Sequence, residues 1–366
     1  MPVRVGGIEL YMGPKALGGP DDLDGVIREF IAGARHTLQV AVQELDSRVI
    51  AQALLAAKAA KVRVQLILEG DYLLEDPPAA DPWQPAGDNE ENRLIHDALL
   101  RAGVDLITDL NPAIFHQKFI VRDVGEPTAA VLTGSTNFTL TDTGTNQATR
   151  GRVVGNNLNH VVILHGQSVA TQYLAEFTRM RTGTFGELHE RNEGRPAEFR
   201  LGGIRVKPLF APQHGPEMEI MKQMLKAAAS VDFAMFTFAR SSGIDDTMIR
   251  LAPSLTRIRG VLDRGQGSQV WAATEPLKAA GVQLSENKPG TGVRKVHHKL
   301  MVIDERLVIV GSFNYTAPAT TLNDENIIVL GDLEETRSAA EAAQRTLAAY
   351  ALAEITRIIT QLSQPV

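Results

Sequence analysis

Two short segments hold most of the side chains in this chain that could do chemistry. The first reads His116-Gln-Lys118-Phe-Ile-Val-Arg-Asp123 and then Gly134-Ser135-Thr-Asn137; the second reads His297-His-Lys299-Leu-Met-Val-Ile-Asp304 and then Gly311-Ser312-Phe-Asn314. Both follow one pattern, H-x-K-x4-D followed by G-S-x-N. A histidine and a lysine two apart on a strand face the same way, so each segment offers an imidazole and an ammonium to one surface. A turn then returns a second strand (129–133; 307–310), whose end presents Ser and Asn beside that pair. Such a doubled set suits an anionic ester of phosphorus. Attack on a phosphodiester builds negative charge on the equatorial oxygens, and two lysines with two amides surround those oxygens with donors fixed in advance. One imidazole can attack phosphorus while the other protonates the leaving oxygen, which divides the reaction into two steps through a phosphohistidine. The chemistry requires no metal, and the acids near the histidines lack recognisable ligand spacing, so neither metal nor cofactor is expected.

The elements that must position these groups are duplicated as well. Residues 36–45 alternate like a half-buried strand, 47–61 have helical spacing, and 62–68 form an apolar, β-rich run. The second half repeats the order, with a helix over 217–229, a strand over 231–239, a helix over 244–252 and a strand over 257–262. In each half a further helix (91–102; 268–280) leads to a short strand opening on Ala-Gly-Val. Glu69-Gly70 and Asp263-Arg264-Gly265 end strands near the same sheet edge. Each half closes on a helix, 168–180 in the first and a longer or kinked one over 334–362 in the second. This alternation predicts an α/β fold with helices on both faces of each sheet. Residues 1–185 and 201–366 make two domains, joined by a linker at 186–200 whose Gly, Pro and charges mark a surface segment. Two long loops, 75–90 and 140–157, are either functional or disordered.

Composition narrows the partners. The 366 residues are 44% hydrophobic and 22% charged, ordinary for a globular protein, with only 5% aromatics. With 37 basic and 43 acidic residues the net charge is -6, so any phosphate site must be a local basic patch in a repelling overall field. The absence of cysteine removes disulfides, thiol nucleophiles and thiolate metal sites together. No signal sequence or transmembrane segment is evident, which predicts a cytoplasmic protein.

The paired H-x-K-x4-D and G-S-x-N elements are similar to those of the phospholipase D superfamily, whose members cleave or transfer phosphodiesters. The duplicated strand and helix order extends the resemblance over nearly the whole chain. It implies two similar phospholipase D-like α/β domains, each a mixed sheet flanked by helices, related by a pseudo-twofold axis with one shared active site. His116, Lys118, Asn137, His297, Lys299 and Asn314 would act there with Ser135 and Ser312 in support, while Asp123 and Asp304 chiefly hold local backbone. The resemblance further places a carboxylate or amide downstream of each motif, orienting the histidine of the opposite half. Aligning Asn323-Asp-Glu325-Asn326 with Asn157-Leu-Asn159-His160 sets Glu325 opposite Asn159. A carboxylate raises the basicity of its imidazole where an amide only orients it. Pairing across halves then gives Glu325 to His116, the nucleophile, and Asn159 to His297, the acid and later activator of water; swapped roles stay open.

His36, His96, His165, His189 and His214 read as structural, and His298 points to the opposite strand face from its neighbours. Lys288, Arg294 and Lys295 before the second motif, and Arg150 and Arg152 in the 140–157 loop, form either solvated segments or the patch that admits an anion. The compact halves and the Gly-Ser-x-Asn-Phe/Tyr-Thr elements are similar to a nuclease-like bacterial branch of the superfamily. A metal-independent phosphodiesterase acting on a nucleic acid or related diester is therefore expected first, although the net charge opposes avid non-specific binding. A phospholipase D or phosphatidyltransferase acting on phospholipid is the alternative, against which stand the few aromatics and the lack of a basic amphipathic helix. A non-catalytic module that binds a phosphate ligand comes third. No obligate protein partner is evident.

Overall fold

Each repeat builds a mixed sheet in the computed structural model, and the second repeat also lends the strand Val293–Val296 to the first sheet, parallel to Asn156–His165. The structure describes residues 2–366 except 76, 77, 79, 82, 86, 147–154 and 191–193; Arg150 and Arg152 thus lie outside the described residues. The first sheet runs in the order Val3–Val5, Ile8–Gly13, Asn156–His165, Ala130–Gly134, Lys118–Arg122, Thr37–Val42, Arg63–Leu68 and Asp105–Thr108. The last three strands are parallel to one another and are connected through the helices Arg48–Ala59 and Glu90–Arg101. The second sheet repeats the order with Phe199–Leu201, Ile204–Ala211, Glu325–Leu330, Leu307–Gly311, Lys299–Ile303, Ser230–Met235, Arg257–Leu262 and Gln283–Asn287, and Ser363–Pro365 covers its far edge. The motif strands Lys118–Arg122 and Lys299–Ile303 sit mid-sheet with apolar residues on both faces, because helices cover both sides.

Five layers result. The helices Leu23–Ala32, Arg48–Ala59 and Glu90–Arg101 pack on the outer face of the first sheet, and Pro216–Met224, Ile244–Leu251 and Thr274–Ala279 on that of the second. Between the sheets lie Gln167–Arg181 and Ser338–Arg357, whose Tyr173, Phe177, Leu347 and Ala351 join one core with both inner faces. Tyr173 links the halves directly, edge to face with Phe119 of the first sheet (5.1 Å) and Phe210 of the second (4.9 Å). Each large side chain buried in this layer is worth about 1.5–3 kcal/mol, so the central layer alone binds the repeats firmly.

Several boundaries differ from expectation. Each repeat begins with a hairpin that periodicity did not reveal, Val3–Val5 with Ile8–Gly13 and Phe199–Leu201 with Ile204–Ala211. Its turn is Gly-Gly in both cases, with positive φ at Gly6, Gly7, Gly202 and Gly203, as a two-residue hairpin turn demands. The two turns meet: a Cβ on Gly6 would run into Gly202 and the reverse, so only glycine lets the backbones touch. The helix expected over 268–280 is confined to Thr274–Ala279, with a separate short helix, Arg264–Gly267, ahead of the expected span, and the one over 217–229 stops at Met224. The stretch read as a surface linker tucks His189 inside, 3.3 Å from Asp324. The motif histidines are not on the strands; these begin at Lys118 and Lys299.

Candidate active site

Just ahead of each motif strand the backbone is stitched to the opposite repeat. The His116 N–H donates to the Asp324 carbonyl (3.0 Å) and the His297 N–H to that of Leu158 (3.0 Å). Asp324 and Leu158 immediately precede Glu325 and Asn159, so the same register that anchors each histidine brings in its side-chain partner. Glu69 and Asp263, the acids at the strand ends, fix the residue before each histidine: Glu69 accepts the Phe115 N–H (2.7 Å) and Asp263 that of Val296 (3.0 Å).

The two imidazoles face one cavity of about 700 Å³ with ring centroids 6.5 Å apart. His116 Nδ1 lies 2.6 Å from Glu325 Oε2, which also accepts from Ser312 Oγ at 2.6 Å. His297 Nδ1 donates to Asn159 Oδ1 (2.9 Å), which also accepts from Ser135 Oγ (2.8 Å). Asn159 Nδ2 points to the Asp142 carbonyl, which fixes the amide orientation and therefore the tautomer of His297. With both Nδ1 atoms engaged, Nε2 is the free nitrogen of each ring. Lys118 and Lys299 are buried beneath the histidines, each donating to the carbonyl of its own motif histidine at 2.8 and 3.0 Å. Asn137 and Asn314 line the cavity wall. Asp123 and Asp304 stand apart. Asp123 accepts the backbone N–H groups of Arg35, His36 and Thr37, and Asp304 those of Ala228, Ala229 and Ser230. Gly134 and Gly311 cross so close to the opposite strand that a Cβ would strike the carbonyl of His160 or Asn326.

Burial dominates the electrostatics. It pushes Glu325 up to about 8, against the pull of Lys118 and Lys299. It drives His116 and His297 well below the usual imidazole range, and the lysines add to both shifts. Burial brings Lys118 down to about 7 while Glu325 and Asp142 oppose it, and Lys299 falls well below its ordinary value by burial and by repulsion from Lys118. Without an anion, then, the surroundings favour uncharged forms. An anion lodged between the rings would pull the lysines back toward their charged forms.

Several residues of this cavity carry no motif signal. Gln43 and Phe236 follow equivalent strands, Gln43 accepting from Lys118 (3.1 Å) and Phe236 lying between Lys295 and Lys299, each 5.2 Å from its ring. Glu44, Asp46, Tyr72 and Asp142 line the first-repeat wall, and Trp271, Arg294 and Lys295 the second. The carboxylate of Asp142 stands 3.7 Å from His297 Nδ1, so Asn159 is not the lone partner of that ring. Their signal lay in comparing the repeats position by position at the strand ends. His298 stacks on His160 in the buried seam (centroids 5.4 Å), and Gln117 pairs with Asn326 at the equivalent place. No group of three or more acids and histidines suited to a metal ion occurs among the described residues.

Two mixed sheets with reciprocal H-x-K motifs at their junction define the phospholipase D-like class. The family model described as cardiolipin synthase, PLD-like domain, matches residues 27–181 and 220–347, and the chain belongs to that family within the phospholipase D superfamily. A phospholipase D of Rickettsia conorii is 32% identical over 140 residues, covering 37% of this chain and 65% of that protein. A mitochondrial cardiolipin hydrolase of Chlamydomonas reinhardtii is 32% identical over 106 residues, covering 29% of this chain and 46% of the relative. The chain thus spans less than two thirds of the length of these relatives. The crystal structure of a phosphatidylserine synthase from Haemophilus influenzae Rd KW20 has the same fold, with a TM-score of 0.65 at 11% identity over 100% of this chain and 88% of that one.

Proposed function

We propose that this protein is a metal-independent phosphodiesterase working through a covalent phosphohistidine on His116. The observation that carries the reading is the reciprocal pair of imidazoles, 6.5 Å apart, each oriented by the opposite repeat. Nε2 of His116 attacks phosphorus, the bond to the leaving alcohol breaks, and the proton on His297 Nε2 passes to that oxygen. Water then attacks phosphorus and gives its proton to His297 as the phosphorus–nitrogen bond breaks. Lys118, Lys299, Asn137 and Asn314 supply the donors for the equatorial oxygens. Glu325 raises the basicity of His116, while Ser135 and Ser312 hold the orienting groups and Asp123 and Asp304 the strands. An alcohol in place of water would make the same site a transferase.

Phospholipid is the substrate class this cavity suits best. Apolar side chains, Ile114 and Trp271, line its wall on either side and are themselves exposed. Among its described residues the first-repeat wall, with Glu44, Asp46 and Asp142, offers no lysine or arginine to a polyanion continuing past the scissile phosphate. The names of the relatives, phospholipase D and cardiolipin hydrolase, support the same direction. Arg294 and Lys295 on the opposite wall keep a single-stranded nucleic acid as the second reading.

Rapid mixing with a labelled aryl phosphodiester followed by an alkaline quench tests the mechanism. Label should appear on His116, and His116→Ala should lose both the label and the burst of released phenol. A variant that kept the burst would overturn the nucleophile, and label on His297 would reverse the roles. Chelator is expected to leave the rate unchanged; a collapse restored by added divalent metal would contradict the mechanism. Phosphatidylglycerol vesicles and single-stranded DNA, assayed side by side, separate the two substrate readings.

A further inference from the structure

The repeats hold their opposite histidines with different chemistry, and the difference is compensated. Gly134 pairs with Val161 and Gly311 with Ile327, so Asn159 corresponds to Glu325; counting on from the same glycines, Asp142 corresponds to Ala319. The second repeat has its carboxylate on the strand and a methyl group after the turn. The first has an amide on the strand and a carboxylate after the turn. Asp142 is as deeply buried as Glu325, at 1% and 0% exposure. Its Oδ2 accepts the Asn137 N–H at 2.9 Å and faces His297 Nδ1 at 3.7 Å, while Oδ1 takes the Asn157 amide.

The turn itself does not need that charge. Thr139 caps it through the Asp142 N–H, and Thr316 makes the same cap to Ala319 in the second repeat with no carboxylate present. A buried acidic side chain that the turn can do without stands instead beside an imidazole whose strand partner is an amide.

We propose that Asp142 is the positioning carboxylate of His297, placing behind it the acidic side chain that Glu325 places behind His116. The inference rests on His297 acting as the acid. A carboxylate about 4 Å from a buried imidazole favours its protonated form, which is the form that delivers a proton to the leaving oxygen. Asp142 and Glu325 also both pull Lys118 and Lys299 toward their charged forms, against the burial that lowers each lysine.

The leaving group provides the test. A nitrophenolate departs without help, whereas an alkoxide needs the proton, so loss of the acid's charged form penalises alkyl esters selectively. In single-turnover release, Asp142→Asn should slow an alkyl phosphodiester by on the order of 10–100-fold, the loss typical when a partner behind a working imidazole is removed, and a nitrophenyl diester far less. Adding Asn159→Asp to that variant should restore the alkyl rate. Equal losses on both esters, no loss, or a double variant no better than the single would each overturn the proposal. Should Asp142→Asn fail to fold, Asn157→Ala, which removes the amide aiming Asp142, should show the same selectivity at smaller size, and equal effects on both esters would overturn it. Absence of phosphohistidine in the unmodified protein would sink the underlying mechanism instead, and the label reads that separately from the leaving-group ratio.

Discussion

Lys118 and Lys299 occupy equivalent places and are held in two ways: Gln43 accepts a hydrogen bond from the first, and the ring of Phe236 faces the second. A cation over an aromatic face gains about 0.5–2 kcal/mol, comparable with a hydrogen bond, so the repeats reach similar ends by different residues. Because burial brings Lys118 down to about 7, its ammonium is lost as the pH rises through neutrality. The ammonium is the form that stabilises phosphoryl oxygens, so kcat/KM should fall above about pH 7, with the limb in kcat displaced upward by the bound anion. Lys118→Arg cannot deprotonate in this range and should flatten that limb while lowering the maximal rate, since a planar fork does not reproduce a point charge. A limb left unmoved in pH–rate profiles would assign it to another group. Lys118→Ala should cost roughly 2–4 kcal/mol of transition-state stabilisation, the worth of one oxyanion donor, read as lower kcat. A rise confined to KM would make the lysine a ground-state binder.

At the scale of elements, the acids that end the motif strands set the frame. Asp123 and Asp304 adopt positive φ (53° and 50°), a region aspartate tolerates better than most residues, and each gathers three backbone N–H groups from the loop before a neighbouring strand. Asp304→Ala should therefore lower stability by about 2–4 kcal/mol in denaturant titrations while kcat per folded molecule is retained; activity lost at full stability would place it in the chemistry. Burial alone would raise the Asp123 carboxyl, but the backbone bonds and Thr128 outweigh it and leave it lowered. Its contribution to stability is thus complete above the unfolded value of 3.8 and fades as the pH falls through the folded one. Much of this frame was legible. The strand expected at 257–262 is Arg257–Leu262, and the doubled motif located both histidines, because strand alternation and motif spacing are local. The opening hairpins were missed because their signal is a repeated Gly-Gly turn between short segments, not a period. The helix within 268–280 starts only at Thr274, which leaves Trp271 on a turn at the cavity wall, where helical spacing had no reason to place it. Asp142 was missed for another reason: its partner His297 is remote in sequence, and only the fold of two repeats brings them together.

Across the whole molecule, charge and exposure tell different parts of the surface apart. The net charge of -6 repels polyanions at a distance. Among the exposed apolar residues, Leu110 and Ile114 come from the first repeat and Val270 and Trp271 from the second, exposed by 69%, 43%, 92% and 44%. Ile114 and Trp271 line the cavity itself, and Leu110 and Val270 lie close by in the chain. Single exposed apolar residues are unremarkable, but Ile114 and Trp271, from opposite repeats on the wall of one cavity, suit a ligand with apolar chains next to its phosphodiester. No helix among the described residues is long and apolar enough to cross a membrane. Leu110→Ser with Val270→Ser should weaken binding to phosphatidylglycerol vesicles by about tenfold or more, since each buried apolar side chain is worth about 1.5–3 kcal/mol and 1.4 kcal/mol is a factor of ten. Turnover of a soluble aryl diester should be unaffected, because neither side chain lines the cavity. The vesicle interaction should also change little with added salt. Cleavage of single-stranded DNA that fell steeply with salt and ignored the double substitution would move the substrate to nucleic acid, because phosphate contacts, unlike apolar ones, are lost as counterions return.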